Sequence, residues 1–326
     1  MRVLVTGGAG FIGSHYVRSM LAGGYPGFED AQVTVLDALT YAGNPANLAS
    51  VAGSDRYRFV RGDISSPADL AAVLPGHDYV VNFAAETHVD RSITGAAPFV
   101  TTNVAGAQQV FEAALRAGVR RVLHVSTDEV YGSIAEGSWT EDSPLEPNSP
   151  YSAAKAGGDL LARAYARTHG LDVVVTRCSN NYGPFHYPEK VVPLFITNLL
   201  DGGTVPLYGE GANVRDWLFV DDHCRGLQLV LEKGTAGEVY NIGGGTELTN
   251  RELTEHLLRA TGRDESAVEH VVDPRGGGHD FRYSVDWSKV AGLGYAPRTS
   301  FAEGLDLTVE WYREHREWWE PLKARR

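Results

Sequence analysis

The first half of the chain alternates short apolar segments with helix-like segments. The strand-like runs read RVLVTG, QVTVLD, YRFVRGD, DYVVNFAA, RRVLHVST and DVVVTRCSN. Segments with helical periodicity separate them, among them FIGSHYVRSMLAGG and TNVAGAQQVFEAALRAG. Strands that alternate with helices form βαβ units, and strands buried on both faces read as continuous apolar runs. The pattern predicts an α/β protein built on a doubly wound, Rossmann-type parallel sheet.

The amino-acid composition of the sequence changes after Arg177. SNNYGPFHYPEKVVP is rich in Asn, Pro and aromatic residues and is typical of irregular structure. We therefore expect a nucleotide-binding domain over residues 1–178, with a return segment near 212–243. Residues 179–211 and 244–326 would form a smaller, mixed α/β C-terminal domain that binds the substrate. The cleft would lie between the two domains.

Charge and cysteine content argue against several classes of protein. The 326 residues carry a net charge of -12, which disfavours broad binding to nucleic-acid phosphates. The two cysteines, Cys178 and Cys224, have neither the number of a disulfide framework nor the spacing of a metal site. We expect reduced thiols, no metal and a cytoplasmic location. The N-terminal apolar run is too short for a signal peptide, and no run has the length of a transmembrane helix.

A glycine-rich loop joins the first strand to the first helix. In TGGAGFIGS, Gly7, Gly10 and Gly13 have the spacing G-x-x-G-x-x-G. Residues without Cβ let a pyrophosphate approach the backbone, and the helix N-terminus directs N–H groups at it. Asp37 ends the second strand, where a carboxylate accepts hydrogen bonds from ribose hydroxyls and repels a 2′-phosphate. The loop predicts a dinucleotide site that prefers NAD to NADP.

Tyr151 and Lys155 are separated by one helical turn in YSAAK. Residues four apart lie on one face of a helix. A lysine ammonium there, together with the positive charge of a nicotinamide, would lower the pKa of the phenol from about 10 toward neutrality. The spacing is also common by chance, and an exposed tyrosine with a solvated lysine is the alternative.

Two adjacent acids follow a strand-like run in STDEVYG. Asp128 and Glu129 come directly after Thr127 and the apolar segment RVLHV. Adjacent carboxyl groups in a closed site can separate their pKa values, so that one serves as a general acid and the other as a general base. The alternative is a helix cap with a solvated neighbour.

These motifs resemble one protein family when taken together. TGGAGFIGS, DALTYAGN, FAAETHVDRS, STDEVYG and YSAAK are similar to the extended short-chain dehydrogenase/reductases, and within them to the dTDP-glucose 4,6-dehydratases. The resemblance continues through NNYGP, PLYGEG, NVRDWLFVDDH and YNIGG, so it covers nearly the whole chain. Sugar-nucleotide epimerases share most of these motifs but lack the acid pair, which makes Asp128–Glu129 the specific signal.

The resemblance implies conversion of dTDP-glucose to a 4-keto-6-deoxy product, with NAD as cofactor. Tyr151, assisted by Lys155, would take the C4 hydroxyl proton while hydride leaves C4, and Thr127 would hydrogen-bond the C4 oxygen. Glu129 would then remove the C5 proton, and Asp128 would protonate the departing C6 hydroxyl before hydride returns to C6. Which acid holds the proton at rest is a property of the coupled pair that the sequence leaves open.

The resemblance also assigns binding residues by their position. Cofactor contacts would come from Gly7, Gly10, Phe11, Ile12, Gly13, Asp37, Leu39, Thr40, Asp63, Ile64, Ala84, Ala85, Glu86, Thr101, Tyr151, Lys155 and Asn181. Substrate contacts would come from Thr87, Thr127, Asn180, Lys190, Val191, Pro206, Tyr208, Arg215, Asn250, Arg275 and His279. Asp63 would contact the adenine or, alternatively, cap the following helix. The loop DPRGGGHD departs from the family order D-R-P-G-H-D, which leaves the register of Arg275 open, and Thr87 stands where serine is usual.

Other functions share parts of this pattern. A 4-epimerase needs the same loop, Tyr151 and Lys155, and a nucleotide-sugar decarboxylase needs a cation for a C6 carboxylate. A non-catalytic NAD(H)-binding sensor needs only the glycine loop. The resemblance further implies a homodimer through a four-helix bundle of NVAGAQQVFEAALRAG and AAKAGGDLLARAYARTHG, although periodicity alone also allows these helices to pack on the sheet. The downstream pathway and the tightness of NAD binding stay open.

Overall fold

The structure is a computed structural model that describes residues 1–276 and 279–323. Its strands are β1 (Arg2–Thr6), β2 (Gln32–Asp37), β3 (Tyr57–Arg61), β4 (Tyr79–Asn82), β5 (Arg121–Thr127), β6 (Val173–Cys178), β7 (Asn180–Tyr182), β8 (Val205–Tyr208), β9 (Val214–Phe219), β10 (Val239–Ile242), β11 (Glu247–Thr249) and β12 (Val268–Val271). Its α-helices are α1 (Phe11–Leu21), α2 (Pro67–Val73), α3 (Val89–Thr94), α4 (Ala97–Phe99), α5 (Ala107–Ala117), α6 (Pro150–His169), α7 (Val191–Leu200), α8 (Val220–Lys233), α9 (Asn250–Thr261), α10 (Ser288–Ala291), α11 (Phe301–Glu314) and α12 (Arg316–Lys323). A π-helical segment, Val100–Gly106, joins α4 to α5, and short 3₁₀ turns lie at Pro45–Val51, Asp128–Tyr131 and Glu265–Ala267.

Seven strands form the main sheet, in the order β10-β6-β5-β4-β1-β2-β3. Every pairing in it is parallel, and Val5 of β1 lies opposite Val35 of β2. Side chains alternate between the two faces, so Val3 and Val5 belong to one apolar cluster and Leu4 belongs to the other. Helices cover both clusters. The structure confirms the predicted doubly wound, Rossmann-type α/β fold.

The later part of the chain adds two small sheets and a separate core. One sheet has the order β11-β9-β7, with β9 antiparallel to β11 and parallel to β7, and the other pairs β12 with β8. Trp217, Leu253 and Trp319 belong to the apolar cluster of this region. Within residues 212–243, β10 joins the main sheet beside β6 and α8 packs on its core, whereas β9 belongs to the small mixed sheet.

The part of the chain that the structure describes contains neither a candidate membrane span nor a candidate metal site. In residues 1–276 and 279–323, no helix is long and apolar enough to cross a membrane. Over the same described ranges, no cluster of three or more His, Cys, Asp or Glu side chains is arranged to hold a metal ion. Cys178 and Cys224 are both free and buried.

Candidate active site

The carboxyl ends of the main-sheet strands open into a cleft. A cavity of about 300 Å³ lies against the glycine loop and the ends of β4, β5 and β6. A second cavity of about 200 Å³ lies toward β8 and β9. Both cavities are lined by Glu129, Asn180, Asn181, His186, Glu189 and Lys190. The two cavities are therefore parts of one cleft at the edge where open α/β sheets bind ligands.

The glycine loop is held against two neighbouring strands. Gly7 has a φ of +68°, and a Cβ built on it would lie 2.6 Å from the backbone nitrogen of Ala84 after β4. The Asp37 carboxylate accepts hydrogen bonds from the N–H of Ala9 at 2.9 Å and from the N–H of Leu39 at 2.8 Å. Asp37 thus fixes the loop as well as facing the first cavity.

Most residues predicted to contact the cofactor line the first cavity. They are Gly7, Gly10, Phe11, Ile12, Gly13, Asp37, Thr40, Asp63, Ile64, Ala84, Ala85, Glu86, Tyr151, Lys155 and Asn181. Leu39 and Thr101 are not among its lining residues, and Thr102 lines the wall instead of Thr101. Thr101 is exposed on the π-helical segment, where the wider turn shifts the helical phase.

The end of β3 shows which residue caps α2. The Ser66 hydroxyl accepts a hydrogen bond from the N–H of Asp69, so Ser66 is the N-cap of α2. The Asp63 carboxylate instead accepts the N–H of Ser65 at 2.7 Å and faces the cavity. The capping alternative for Asp63 is therefore wrong.

Asp128 and Glu129 lie in a 3₁₀ turn at the end of β5, and Thr127 caps that turn. The Thr127 Oγ1 accepts the N–H of Glu129 at 3.2 Å and donates to Asp128 Oδ1 at 3.3 Å. Asp128 is 2% exposed, and its Oδ2 is buried without a hydrogen-bond partner among the described residues. Because Thr127 satisfies the cap, neither acid is needed for that purpose.

Tyr151 and Lys155 enter the same cavity from the first turns of α6. The helix begins with a capping box, in which Ser149 and Ser152 each accept the other's N–H at 3.1 Å. Pro150 occupies the first helical position, where its missing N–H costs nothing. Both side chains are buried, and the Lys155 Nζ donates to the carbonyl oxygen of Val125 on β5 at 2.7 Å.

The two acids of the pair have different surroundings. Burial raises the pKa of Asp128 well above its usual range, and the Glu129 and Asp216 carboxyl groups raise it further. Burial also raises the pKa of Glu129, but Lys190, Arg215 and Arg275 counteract this shift. The pKa of Asp128 is therefore raised more strongly than the pKa of Glu129.

The protein alone does not lower the pKa of Tyr151. Burial and the Glu129 carboxyl raise the pKa of this phenol well above its usual range, although a hydrogen bond with Thr127 opposes the shift. Burial also lowers the pKa of Lys155, which weakens the predicted effect of its ammonium group. The lowering of the Tyr151 pKa by Lys155 together with the positive charge of a nicotinamide stays a prediction.

The second cavity is lined by most of the residues predicted to contact the substrate. It is lined by Asn180, Lys190, Val191, Pro206, Tyr208, Arg215, Asn250, Arg275 and His279, while Thr87 and Thr127 line the first cavity. The Lys190 Nζ donates to the Thr87 carbonyl oxygen at 2.7 Å. Arg275 forms an ion pair with Asp90 at 2.5 Å. Of the loop DPRGGGHD, residues 277 and 278 lie outside the described residues.

Several lining residues were not predicted from the sequence. The His186 ring stacks on Phe11 at 4.1 Å between ring centroids, and so connects the irregular segment after β7 to the glycine loop. The Glu189 carboxylate is buried and accepts a hydrogen bond from Arg91 at 2.9 Å. Tyr283 lines the second cavity. The aromatic-rich composition of NNYGPFHYPEK marks this segment, but no spacing rule indicates which of its side chains face the cleft.

Comparisons with known proteins agree with this geometry. Residues 4–308 match the family model described as GDP-mannose 4,6 dehydratase. The chain is 62% identical over 325 residues to a dTDP-glucose 4,6-dehydratase of Streptomyces niveus, covering 99% of this chain and 96% of the relative.

Solved structures of related enzymes also resemble this chain. The crystal structure of a dTDP-glucose 4,6-dehydratase from Streptomyces venezuelae with NAD bound is 65% identical, with a TM-score of 0.97 and coverage of 99% of this chain and 100% of that one. A UDP-glucose 4-epimerase from Thermotoga maritima is 33% identical, with a TM-score of 0.87 and coverage of 96% and 99%. The chain belongs to the dTDP-glucose 4,6-dehydratase family of extended short-chain dehydrogenase/reductases.

Proposed function

We propose that this protein is an NAD-dependent dTDP-glucose 4,6-dehydratase. It would convert dTDP-glucose to dTDP-4-keto-6-deoxyglucose and water. The observation that carries the proposal is the meeting of Tyr151 and Lys155 with the Asp128–Glu129 pair in one cavity beside the glycine loop. Relatives at 62% and 65% identity carry this activity in their names.

The walls of the first cavity fit NAD. A Cβ built on Gly10 would meet only the Gly7 carbonyl oxygen, at 3.3 Å, so a pyrophosphate has close access to the backbone. The Asp37 carboxylate faces the same cavity and would repel the 2′-phosphate of NADP. The Streptomyces venezuelae structure contains NAD. When bound, NAD would supply the hydride acceptor for oxidation at C4 and the hydride donor for reduction at C6.

Different side chains of the first cavity would carry out the separate proton transfers of the reaction. Tyr151 takes the proton of the C4 hydroxyl, and Thr127 hydrogen-bonds the C4 oxygen. Once a 4-keto group acidifies the C5 proton, Glu129 removes it as the general base. Asp128 donates its proton to the departing C6 hydroxyl. The stronger rise of the Asp128 pKa, and the three cations that oppose the rise at Glu129, support this assignment.

The second cavity would hold the nucleotide diphosphate. Lys190, Arg215 and Arg275 supply positive charge along its wall, and an arginine fork matches phosphate oxygens. Tyr208 lies in the same wall and offers a ring on which a base can stack. With the diphosphate at these cations, the hexose would lie between them and the acid pair.

Replacing Asp37 by alanine is expected to weaken NAD binding by about tenfold or more, because a charged acceptor of backbone and ribose donors is lost. The NAD content of the purified protein, and the NAD affinity after its removal, measure the effect. Asp30→Ala, at an exposed position before β2, is the control and should retain the wild-type NAD content. Unchanged NAD affinity in Asp37→Ala would contradict the assigned role.

We also propose that the protein is a cytoplasmic homodimer. Val100 and Leu160 are each 53% exposed, and their segments pack side by side on the outer surface of the nucleotide-binding region. These positions adjoin or belong to the two helices expected to form a four-helix bundle with a second copy. An apolar surface of this kind supports self-association.

Sedimentation analysis tests the dimer. The wild-type protein should sediment as a dimer. The Leu160→Glu variant should sediment as a monomer, because dimerisation would bury the charge of the glutamate in the interface. Leu307→Glu is a matched control, since Leu307 is 52% exposed on α11, away from the proposed bundle. A monomeric wild-type protein, or a dimeric Leu160→Glu, would refute this interface.

Mass spectrometry of the product tests the function. Incubation with dTDP-glucose, without added NAD, should give a product lighter by one water. A galactose epimer of unchanged mass would indicate the 4-epimerase instead. Binding of NAD without any conversion of nucleotide sugars would indicate the non-catalytic sensor.

A further inference from the structure

Arg215 is held by an arrangement that the proposed reaction does not by itself require. It lies on β9, is 6% exposed and lines the second cavity. Its Nη1 donates to the carbonyl oxygens of Val214 at 2.7 Å and Phe281 at 3.2 Å, and its Nη2 donates to the carbonyl oxygen of Asp280 at 2.8 Å. These backbone acceptors fix one end of the guanidinium group without neutralising its charge.

Tyr283 lies beneath the same guanidinium group. The Arg215 Cζ is 4.2 Å from the centroid of the Tyr283 ring, a distance typical of a cation–π contact. Tyr283 is 5% exposed and lines the second cavity. The ring therefore supports Arg215 from one face while the backbone carbonyl groups hold its edge.

The Tyr283 ring is fixed in turn by a buried carboxylate. The Tyr283 hydroxyl donates to Asp280 Oδ2 at 2.7 Å, and the Asn148 Nδ2 donates to Asp280 Oδ1 at 2.6 Å. Burial keeps the pKa of Tyr283 well above its usual range, so the hydroxyl remains a donor. Asn148 directly precedes Ser149, which caps the helix that carries Tyr151. One carboxylate thus links the Arg215 support to the start of the catalytic helix.

We propose that Tyr283 is a positioning residue for nucleotide-sugar binding, which acts by holding Arg215 toward the diphosphate of the substrate. Asp280 serves the same purpose by fixing the Tyr283 ring. This inference rests on the proposed function, because it takes a nucleoside diphosphate as the ligand of Arg215. Long side chains lose rotamer freedom when they bind, and a preorganised arginine loses less of it.

Calorimetric binding of dTDP, UDP and GDP to the NAD-loaded protein tests the proposal without requiring turnover. For the diphosphate that binds wild type most tightly, Tyr283→Leu should raise Kd by about tenfold, since the ring contact is lost. Tyr283→Phe keeps the ring but loses its hydrogen bond to Asp280, so it should raise Kd by a smaller amount, about threefold. With sugar substrate, Tyr283→Leu should raise KM more than it lowers kcat, because Arg215 contacts a part of the substrate that does not react.

Two further variants separate positioning from general destabilisation. Tyr240 is also a buried tyrosine below a cation, with the Lys289 Nζ 4.7 Å from its ring centroid, and lies on β10 outside both cavities. Tyr240→Leu should leave the Kd of the diphosphate unchanged. In an Arg215→Lys background, Tyr283→Leu should add little further loss, because both changes disturb one unit.

Three results would overturn the proposal. The first is a folded Tyr283→Leu that retains NAD and binds the diphosphate as wild type does. The second is full additivity of the effects of Tyr283→Leu and Arg215→Lys on the diphosphate Kd. If Tyr283→Leu is too unstable for calorimetry, Tyr283→His takes its place in this comparison. The third is a wild-type protein that binds none of the diphosphates. Diphosphate binding without conversion of dTDP-glucose would instead refute the proposed function. The effect of Tyr283→Leu on the diphosphate Kd could still be measured in that case.

Discussion

Glu129→Gln should abolish both loss of water and exchange of the C5 proton, whereas Asp128→Asn should abolish only the loss of water. Each substitution is expected to lower kcat by about 10²- to 10⁴-fold, the range for a lost general acid or base. The difference between them arises because Glu129 acts first on the 4-keto sugar, and Asp128 acts on the leaving hydroxyl. In deuterated water, Asp128→Asn should therefore incorporate deuterium at C5 of a sugar that keeps its C6 hydroxyl.

A second adjacent acid pair offers a control for these amide substitutions. Asp221 and Asp222 lie in the first turn of α8, and Asp221 contacts His15 and Arg225 outside both cavities. Asp221→Asn should keep wild-type turnover. Equal C5 exchange in Glu129→Gln and wild type would show that another group is the base, and would remove the central assignment.

Tyr151→Phe should lower kcat by about 10³-fold or more, because it removes the group proposed to take the C4 hydroxyl proton. Without a 4-keto group the C5 proton is not acidic, so C5 exchange and loss of water should fall together. The NAD content and melting temperature should change little, since only one hydroxyl is removed. Quantification of C5 deuterium and product mass in the same samples measures both effects.

The same helix provides the control for Tyr151→Phe. Tyr165 also lies on α6, and its hydroxyl contacts Gln108 and Glu112 on α5 rather than the cleft. Tyr165→Phe should keep wild-type turnover. A Tyr151→Phe protein that still exchanges the C5 proton at the wild-type rate would show that Tyr151 is not the base at C4.

Features set by residues close together in sequence are predictable here. The glycine loop follows β1 and precedes α1 directly, and Tyr151 and Lys155 share one turn of α6. The acid pair follows β5 without an intervening segment. Periodicity and spacing report such arrangements because the backbone geometry of one element fixes them. The main sheet, and the meeting of the glycine loop, the acid pair and the Tyr151–Lys155 pair in one cavity, follow from these local patterns.

Features set by contacts distant in sequence are not predictable in this way. Strand β9 lies in the segment 212–243 expected to return to the nucleotide-binding domain, but it pairs with β7 and β11 instead of the main sheet. Two of the three carbonyl groups that hold Arg215 lie 65 and 66 residues away along the chain. Thr102, rather than Thr101, lines the first cavity where a π-helical segment interrupts the regular helix. No sequence rule reports pairings of this kind.

The pKa shifts of the site residues also depend on contacts that the sequence does not reveal. The spacing of Tyr151 and Lys155 indicates a pair, but it does not report that burial and the nearby Glu129 carboxyl raise the pKa of the phenol, or that burial lowers the pKa of Lys155. For the acid pair, the cations near Glu129 come from three separate segments that carry Lys190, Arg215 and Arg275. Their convergence distinguishes the two acids, and only the folded chain brings these segments together.

The most direct test of the central claim, that one pocket oxidises C4, eliminates water and reduces C6, follows a deuterium label. dTDP-glucose labelled with deuterium at C4 is incubated with the purified protein in ordinary water, without added NAD. We predict a 4-keto-6-deoxy product that carries the label in its C6 methyl group. Label retained at C4 of a hexose with inverted configuration, or label lost to the solvent, would contradict the claim.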